Sequence, residues 1–159
     1  MSSLILGVDP GLKGAVALYD PFLDIIANVF DIPTFEIKGK RKIDLFKLAG
    51  WVDANTPTIK VAFIEQPGAM PGQGVSSMFN FGKACGIVEG IVAANFIPMQ
   101  FVHPAKWKPK MGLSKDKDRS RQLASQMFPR QAELFARVKD DGRAEAVLLA
   151  IYGARYADL

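Results

Sequence analysis

The stretch that decides the fold class is Leu4-Ile5-Leu6-Gly7-Val8-Asp9-Pro10-Gly11-Leu12-Lys13-Gly14-Ala15-Val16-Ala17-Leu18-Tyr19. Its first five residues are a short apolar run stopped by Asp9-Pro10-Gly11, a turn signal, so they read as a buried strand. Residues 15–19 are apolar again after a tight turn and read as the hairpin partner, which Asp20-Pro21 ends. Asp9 thus sits at the C-terminal end of a buried strand, where the chain opens into a loop.

Working outward, residues 25–30 read as a third strand, making an antiparallel meander. A helix is expected over 44–54, with Leu45, Leu48, Ala49 and Val52 on one face and Asp44 able to cap its start. Residues 60–65 form a fourth strand that ends on Glu65, again before a Pro-Gly pair. Residues 67–74 hold two prolines and three glycines and read as a loop. A helix over 76–95 follows. Its Gly82, Gly86 and Gly90 recur every four residues, a spacing expected to let it lie close against a neighbour at some cost in helix propensity. Residues 97–102 read as a fifth strand, His103-Pro104 as the cap of a short helix, and 115–127 and 142–156 as helices. Joining strand one to four and four to five needs parallel crossovers. The expectation is an α/β fold: a mixed five-stranded sheet with helices on both faces, formed by residues 1–159 as a single domain.

The chain has 159 residues, enough for a sizeable core. No apolar tract spans a membrane: residues 87–102 are interrupted by Glu89, Asn95 and Pro98. The first residues lack the basic stretch of a signal peptide. A lone Cys85, with apolar neighbours that suggest burial, fits a reducing cytoplasm. One cysteine and one histidine leave no ligand set for structural zinc. The net charge of +4 is unevenly spread. Residues 103–122 hold seven cations and two anions, and residues 38–42 four cations and no anion, so the remainder is acidic at −5. Cations gathered on an acidic body are the footprint of a polyanion partner, usually nucleic acid, although two solvated loops would look the same.

Four acids stand out. Asp9 and Glu65 end two apolar strands, and if these are parallel neighbours both lie at one sheet edge. Asp141 and Glu145 are four apart at the start of the last helix, which stacks them on one face. Four converging carboxylates repel one another, and oxygen ligands favour Mg2+, with Mn2+ as a substitute. Two ions about 3.5–4 Å apart activate a water and stabilise the leaving oxygen of a phosphoryl displacement. Each acid also has a plainer role. Asp141 and Glu145 suit a helix N-terminus, Asp9 a turn and Glu65 an exposed strand end.

The order Leu6-Gly7-Val8-Asp9-Pro10-Gly11-Leu12-Lys13-Gly14 resembles the opening of RuvC-type Holliday junction resolvases. Phe63-Ile64-Glu65-Gln66 resembles their second acidic strand, Phe81-Gly82-Lys83-Ala84-Cys85-Gly86 their glycine-containing helix, and Ala144-Glu145-Ala146 their last acidic motif. The likeness runs over nearly the whole chain. It is nearest to the phage RuvC-like enzymes, and residues 140–145 also resemble the organellar plant resolvases. It implies an RNase H-like fold of the retroviral integrase superfamily. It further implies a Mg2+-dependent endonuclease, with two ions on Asp9, Glu65, Asp141 and Glu145, that resolves four-way junctions as a homodimer by paired symmetric nicks. A bacterial or phage-infected cytoplasm is then the expected setting, with an organelle left open. The resemblance also puts Lys108 and Lys117 near the scissile strand, and both lie in the basic segment. Lys115, Arg119 and Arg121 could track phosphates further out, with Lys38, Lys40, Arg41 and Lys42 as a second stripe.

The chain departs from the family in two places. Bacterial members carry an aspartate three before the last acid, whereas Gly142 stands there in this chain. Asp141 lies four before, with Asp140 as the alternate ligand. They also carry a base-stacking aromatic after the second acid, where this chain has Pro67-Gly68-Ala69-Met70. Met70, Phe79 and Phe81 are the wedge candidates, although phenylalanines at these helix positions read first as core. Trp107, between two lysines, reads as packing inward. Rival readings are an actin-like phosphotransferase, which needs a second domain and a second phosphate loop, and a non-catalytic DNA-binding module, which has no use for four acids. A third rival is a nuclease of the same fold acting on forks, flaps or RNA–DNA hybrids.

Overall fold

The computed structural model describes residues 3–66, 68 and 71–159, with the backbone alone at 117. Pro67 and Met70 of the loop, and the Lys117 side chain, therefore lie outside the described residues. Strands β1 (Leu4–Asp9), β2 (Ala15–Asp20) and β3 (Ile25–Asp31) form the antiparallel meander. Strand β6 (Ile59–Glu65) runs parallel to β1, and β7 (Met99–Val102) parallel to β6, giving the sheet order β3-β2-β1-β6-β7. This is the expected mixed five-stranded sheet. Helices α1 (Leu45–Asn55) and α2 (Val75–Ala94) cover one face; α3 (Pro104–Lys110), α4 (Lys117–Met127) and α5 (Asp141–Tyr156) cover the other.

Side chains alternate between the faces of a strand, and this periodicity sorts the core. Leu4, Leu6 and Val8 of β1 and Ala62 and Ile64 of β6 pack with Leu48 of α1 and Val88 and Val92 of α2. Ile5 of β1 and Val61 and Phe63 of β6 pack on α5 and on Trp107 of α3. Asp9 and Glu65 continue this second set, so the pleat alone turns both acids toward α5. None of the helices formed by the described residues is long and apolar enough to cross a membrane.

Three expectations are corrected. The basic stretch at 38–42 is not a loop. It belongs to a two-stranded ribbon of β4 (Thr34–Ile37) and β5 (Lys40–Ile43). Lys38 and Gly39 both have positive φ, 51° and 72°, the pairing a two-residue hairpin turn requires. The glycines of α2 do not approach a neighbour: a Cβ at Gly82, Gly86 or Gly90 would meet nothing within 4 Å. The helix packs instead through Ala84, Val88 and Val92, on another face. Phe79 and Phe81 are not core, being 71% and 38% exposed. Cys85 is half-buried, and burial, with Glu89 adding to it, pushes its thiol up to about 11.

Candidate active site

The register brings the acids together. Val8 of β1 pairs with Ile64 of β6, so Asp9 and Glu65 are the next positions of two adjacent parallel strands. Over them lies the N-terminal half of α5, and Glu145 completes a trio in which one carboxylate oxygen from each residue lies within 4.8 Å of the other two. Asp141 is one turn back on the same helix, and its charge is among those felt at Asp9. Burial pushes the Asp9 carboxyl well above the usual carboxylate range, and Glu145 and Glu65 push it further. Burial and then Glu145 raise Glu65 in the same sense.

Helix α3 supplies the counterweight. His103 caps it, its Nδ1 accepting from the Ala105 N–H at 3.1 Å. Because β7 ends beside Glu65, this cap starts α3 at the acid edge. Trp107 is fully buried, as expected, and its Nε1 donates to Glu65 Oε2 at 2.8 Å. Lys108 Nζ donates to Glu145 Oε1 at 2.8 Å. Burial pulls the Lys108 ammonium down, but Glu145, Glu65 and Asp9 together outweigh it and the net shift is upward. One ammonium among three acids leaves an unbalanced negative charge. The donor set is all oxygen, which suits a hard divalent cation.

Asp140 is directed elsewhere. It is 1% exposed and accepts from the Arg137 backbone N–H at 2.9 Å and from Arg137 Nη2 at 2.8 Å, with Arg143 Nε at 3.7 Å. Arg143 in turn bridges to Asp31 at the end of β3, at 2.7 and 2.8 Å. These bonds tie the start of α5 to the sheet and leave Asp141, not Asp140, one turn before Glu145. Burial alone would raise the Asp140 carboxyl, but the Arg137 hydrogen bonds, with the charges of Arg143 and Arg137, outweigh it and hold it below the usual range. The sign follows: the stabilisation is present at pH above the ordinary carboxylate value and is lost as pH falls through the depressed one. Asp140→Ala is expected to cost about 1.5–3 kcal/mol at neutral pH, the worth of a charged hydrogen-bonded partner. In urea titrations the gap to the parent should narrow on acidification. A gap that is constant with pH would refute this role.

Among the expected DNA contacts, Lys40, Arg41, Lys42 and Lys115 are exposed and Arg119 is half-buried. Arg121 departs from the expectation. Its guanidinium donates to the carbonyls of Phe135 and Ala136, each at 3.3 Å, and pairs with Asp118, so it fastens α4 to the following segment. Reading the sequence missed the Trp107–Glu65 bond, for which no sequence signal exists beyond an aromatic next to Lys108.

No family model matches the chain. A curated relative is the chloroplast Holliday junction resolvase MOC1 of Chlamydomonas reinhardtii, 30% identical over 103 residues, which cover 60% of this chain and 11% of that protein. The chain thus matches only about a tenth of that relative's length. Among solved structures, Thermus thermophilus RuvC in complex with a Holliday junction substrate is similar at a TM-score of 0.64 and 14% identity, over 98% of this chain and 94% of that one. Another Thermus thermophilus RuvC structure is similar at a TM-score of 0.55 and 14% identity, over 97% and 95%. The chain has the RNase H-like fold of these structures.

Proposed function

We propose that the chain is an endonuclease that resolves four-way DNA junctions by metal-assisted phosphodiester hydrolysis, with residues 1–159 as one nuclease domain. The observation that carries the reading is the trio Asp9, Glu65 and Glu145 at the sheet edge, with Lys108 beside it and the basic segment leading away. The likeness to a junction-bound RuvC and to a named junction resolvase gives the substrate class. As a homodimer, two such sites would make paired nicks across a junction.

Asp9, Glu65, Glu145 and Asp141 would hold two Mg2+ ions, with Mn2+ able to substitute. Such ions supply an activated water and charge stabilisation at the leaving oxygen. The Trp107 N–H fixes one oxygen of Glu65, so the other keeps a set direction. Lys108 holds Glu145 and offers a cation to a phosphate entering the site. Lys108, Lys115, Lys117, Arg119 and the β5 cations would track the DNA backbone.

The test is a cutting panel of four-way junction, flap, duplex and RNA–DNA hybrid. Junction nicking is expected with Mg2+ or Mn2+ and none in EDTA. Undiminished cutting in excess chelator would sink the metal-assisted mechanism, and preference for the hybrid would replace the substrate. Trp107→Phe keeps an aromatic ring in the core and removes only the donor to Glu65. It is expected to weaken Mn2+ binding by about 10–100-fold, as losses of supporting hydrogen bonds do. Unchanged Mn2+ titration would refute that positioning.

A further inference from the structure

A groove of about 1010 Å³ lies between the β4–β5 ribbon and the N-terminal half of α2, and none of the clustered acids lines it. We propose that it binds an unpaired DNA strand, whose bases stack on Phe35, Phe46 and Phe79 while its phosphates meet Arg41, Lys42 and Lys83.

Two features of the groove carry this. The first is aromatic exposure. Phe46 is 90%, Phe79 71% and Phe35 42% exposed, three rings gathered along one groove rather than scattered singly. The second is charge. Among the described residues no ion pair engages Lys40, Arg41, Lys42 or Lys83, all of which line the groove. Asp44 also lines it, but its carboxylate caps α1 by accepting from the Lys47 N–H. The ribbon interleaves the two chemistries: Phe35 is paired across the strands with Lys42, and Ile37 with Lys40. Stacking faces alternating with cations are what a single strand needs, because unpaired bases offer their faces and the backbone its charge. A second copy of this chain is the weaker occupant. A symmetric contact would set this basic rim against itself.

The groove reaches the loop that follows Asp9. Leu12, three residues beyond Asp9, forms part of its wall. The ring of Phe81 lies beside Gly11 in the same loop, 3.8 Å from where a Cβ would sit. A strand held on the ribbon could therefore lead toward the acid cluster. The proposal rests on the nucleic-acid reading above, but not on cutting.

The test is anisotropy of a labelled oligothymidylate of about 12 nucleotides, within the usual range of single-strand sites. Duplex of equal length and heparin serve as comparisons, all in EDTA so that nothing is cut. Phe46→Ala and Phe79→Ala, both at exposed positions, should each weaken single-strand binding by about tenfold and leave heparin binding and the salt slope unchanged. Lys42→Ala should flatten the slope of log affinity against log salt by about 0.7. Lys60→Ala is the control and should bind as the parent does. If the phenylalanine variants bind the single strand like the parent, the groove does not stack bases. If they change the mass in sedimentation, with or without a binding loss, the groove is an interface between copies and the proposal is overturned. Single-strand binding that survives while junctions go uncut would remove the resolvase reading and keep this one.

Discussion

Asp9→Asn will abolish junction nicking and leave junction binding intact. Asp9 is the most hemmed-in acid of the cluster: burial, Glu145, Glu65 and Asp141 all oppose its charge, and Lys108 alone offsets them. An enzyme that holds a carboxylate under such pressure gains from it only when a cation arrives. Loss of one ligand oxygen should remove roughly 4 kcal/mol or more of transition-state stabilisation, about a thousandfold in rate. Glu65→Gln and Glu145→Gln should behave alike. Stability separates lost chemistry from lost folding. Because the folded protein raises the Asp9 pKa, the ionised carboxylate destabilises the metal-free fold at pH above the ordinary carboxylate value. Asp9→Asn should therefore melt higher than the parent in EDTA at neutral pH, and this gain should vanish as pH falls toward that value. Near-parental nicking by Asp9→Asn would mean that the site lies elsewhere. The aspartate pair gives the matching contrast. Asp141→Asn should stop nicking, whereas Asp140→Asn should weaken the fold through Arg137 and Arg143.

The places where sequence and structure part follow a physical pattern. Asp9 and Glu65 were legible because each ends an apolar run before a Pro-Gly pair, and strand alternation then assigns the face. Glu145 was legible from helical spacing. The β4–β5 ribbon was not, because cations on both of its faces hide the period of two and Lys38-Gly39 is a weak turn signal. Helix α2 carries more than one apolar stripe, so periodicity could not tell the core stripe, Ala84-Val88-Val92, from the exposed one that includes Val75 and Phe79. The Trp107–Glu65 and Arg143–Asp31 contacts are tertiary, and no local pattern encodes them.

Gly7→Ala should cost the protein its fold. Gly7 points from β1 toward α5, and a Cβ there would coincide with the Ala146 carbonyl oxygen and lie 2.8 Å from the Ala150 nitrogen. Both obstacles are helix backbone, so no side chain can swing aside. Either α5 lifts off the central strand or β1 shifts in the sheet, and both open the core built by Ile5, Phe63, Ala146 and Ala150. The expected loss exceeds about 4 kcal/mol, above the roughly 1–3 kcal/mol usual for overpacking because rigid helix backbone stands in the way. The same contact sets the chemistry, because the turn of α5 that touches Gly7 follows directly on Glu145, and Asp9 is two residues along the strand. A helix displaced by one methyl group carries Glu145 and Asp141 away from Asp9 and Glu65. Any Gly7→Ala protein that still folds should therefore also lose nicking. Gly82→Ala is the contrast: its Cβ meets open space on the outer face of α2, and alanine in place of helical glycine should stabilise by about 0.5–1 kcal/mol. Thermal melts of the two variants beside the parent decide the matter. A Gly7→Ala protein that melts with the parent and nicks junctions at the parental rate would show that α5 does not lie against β1 at Gly7.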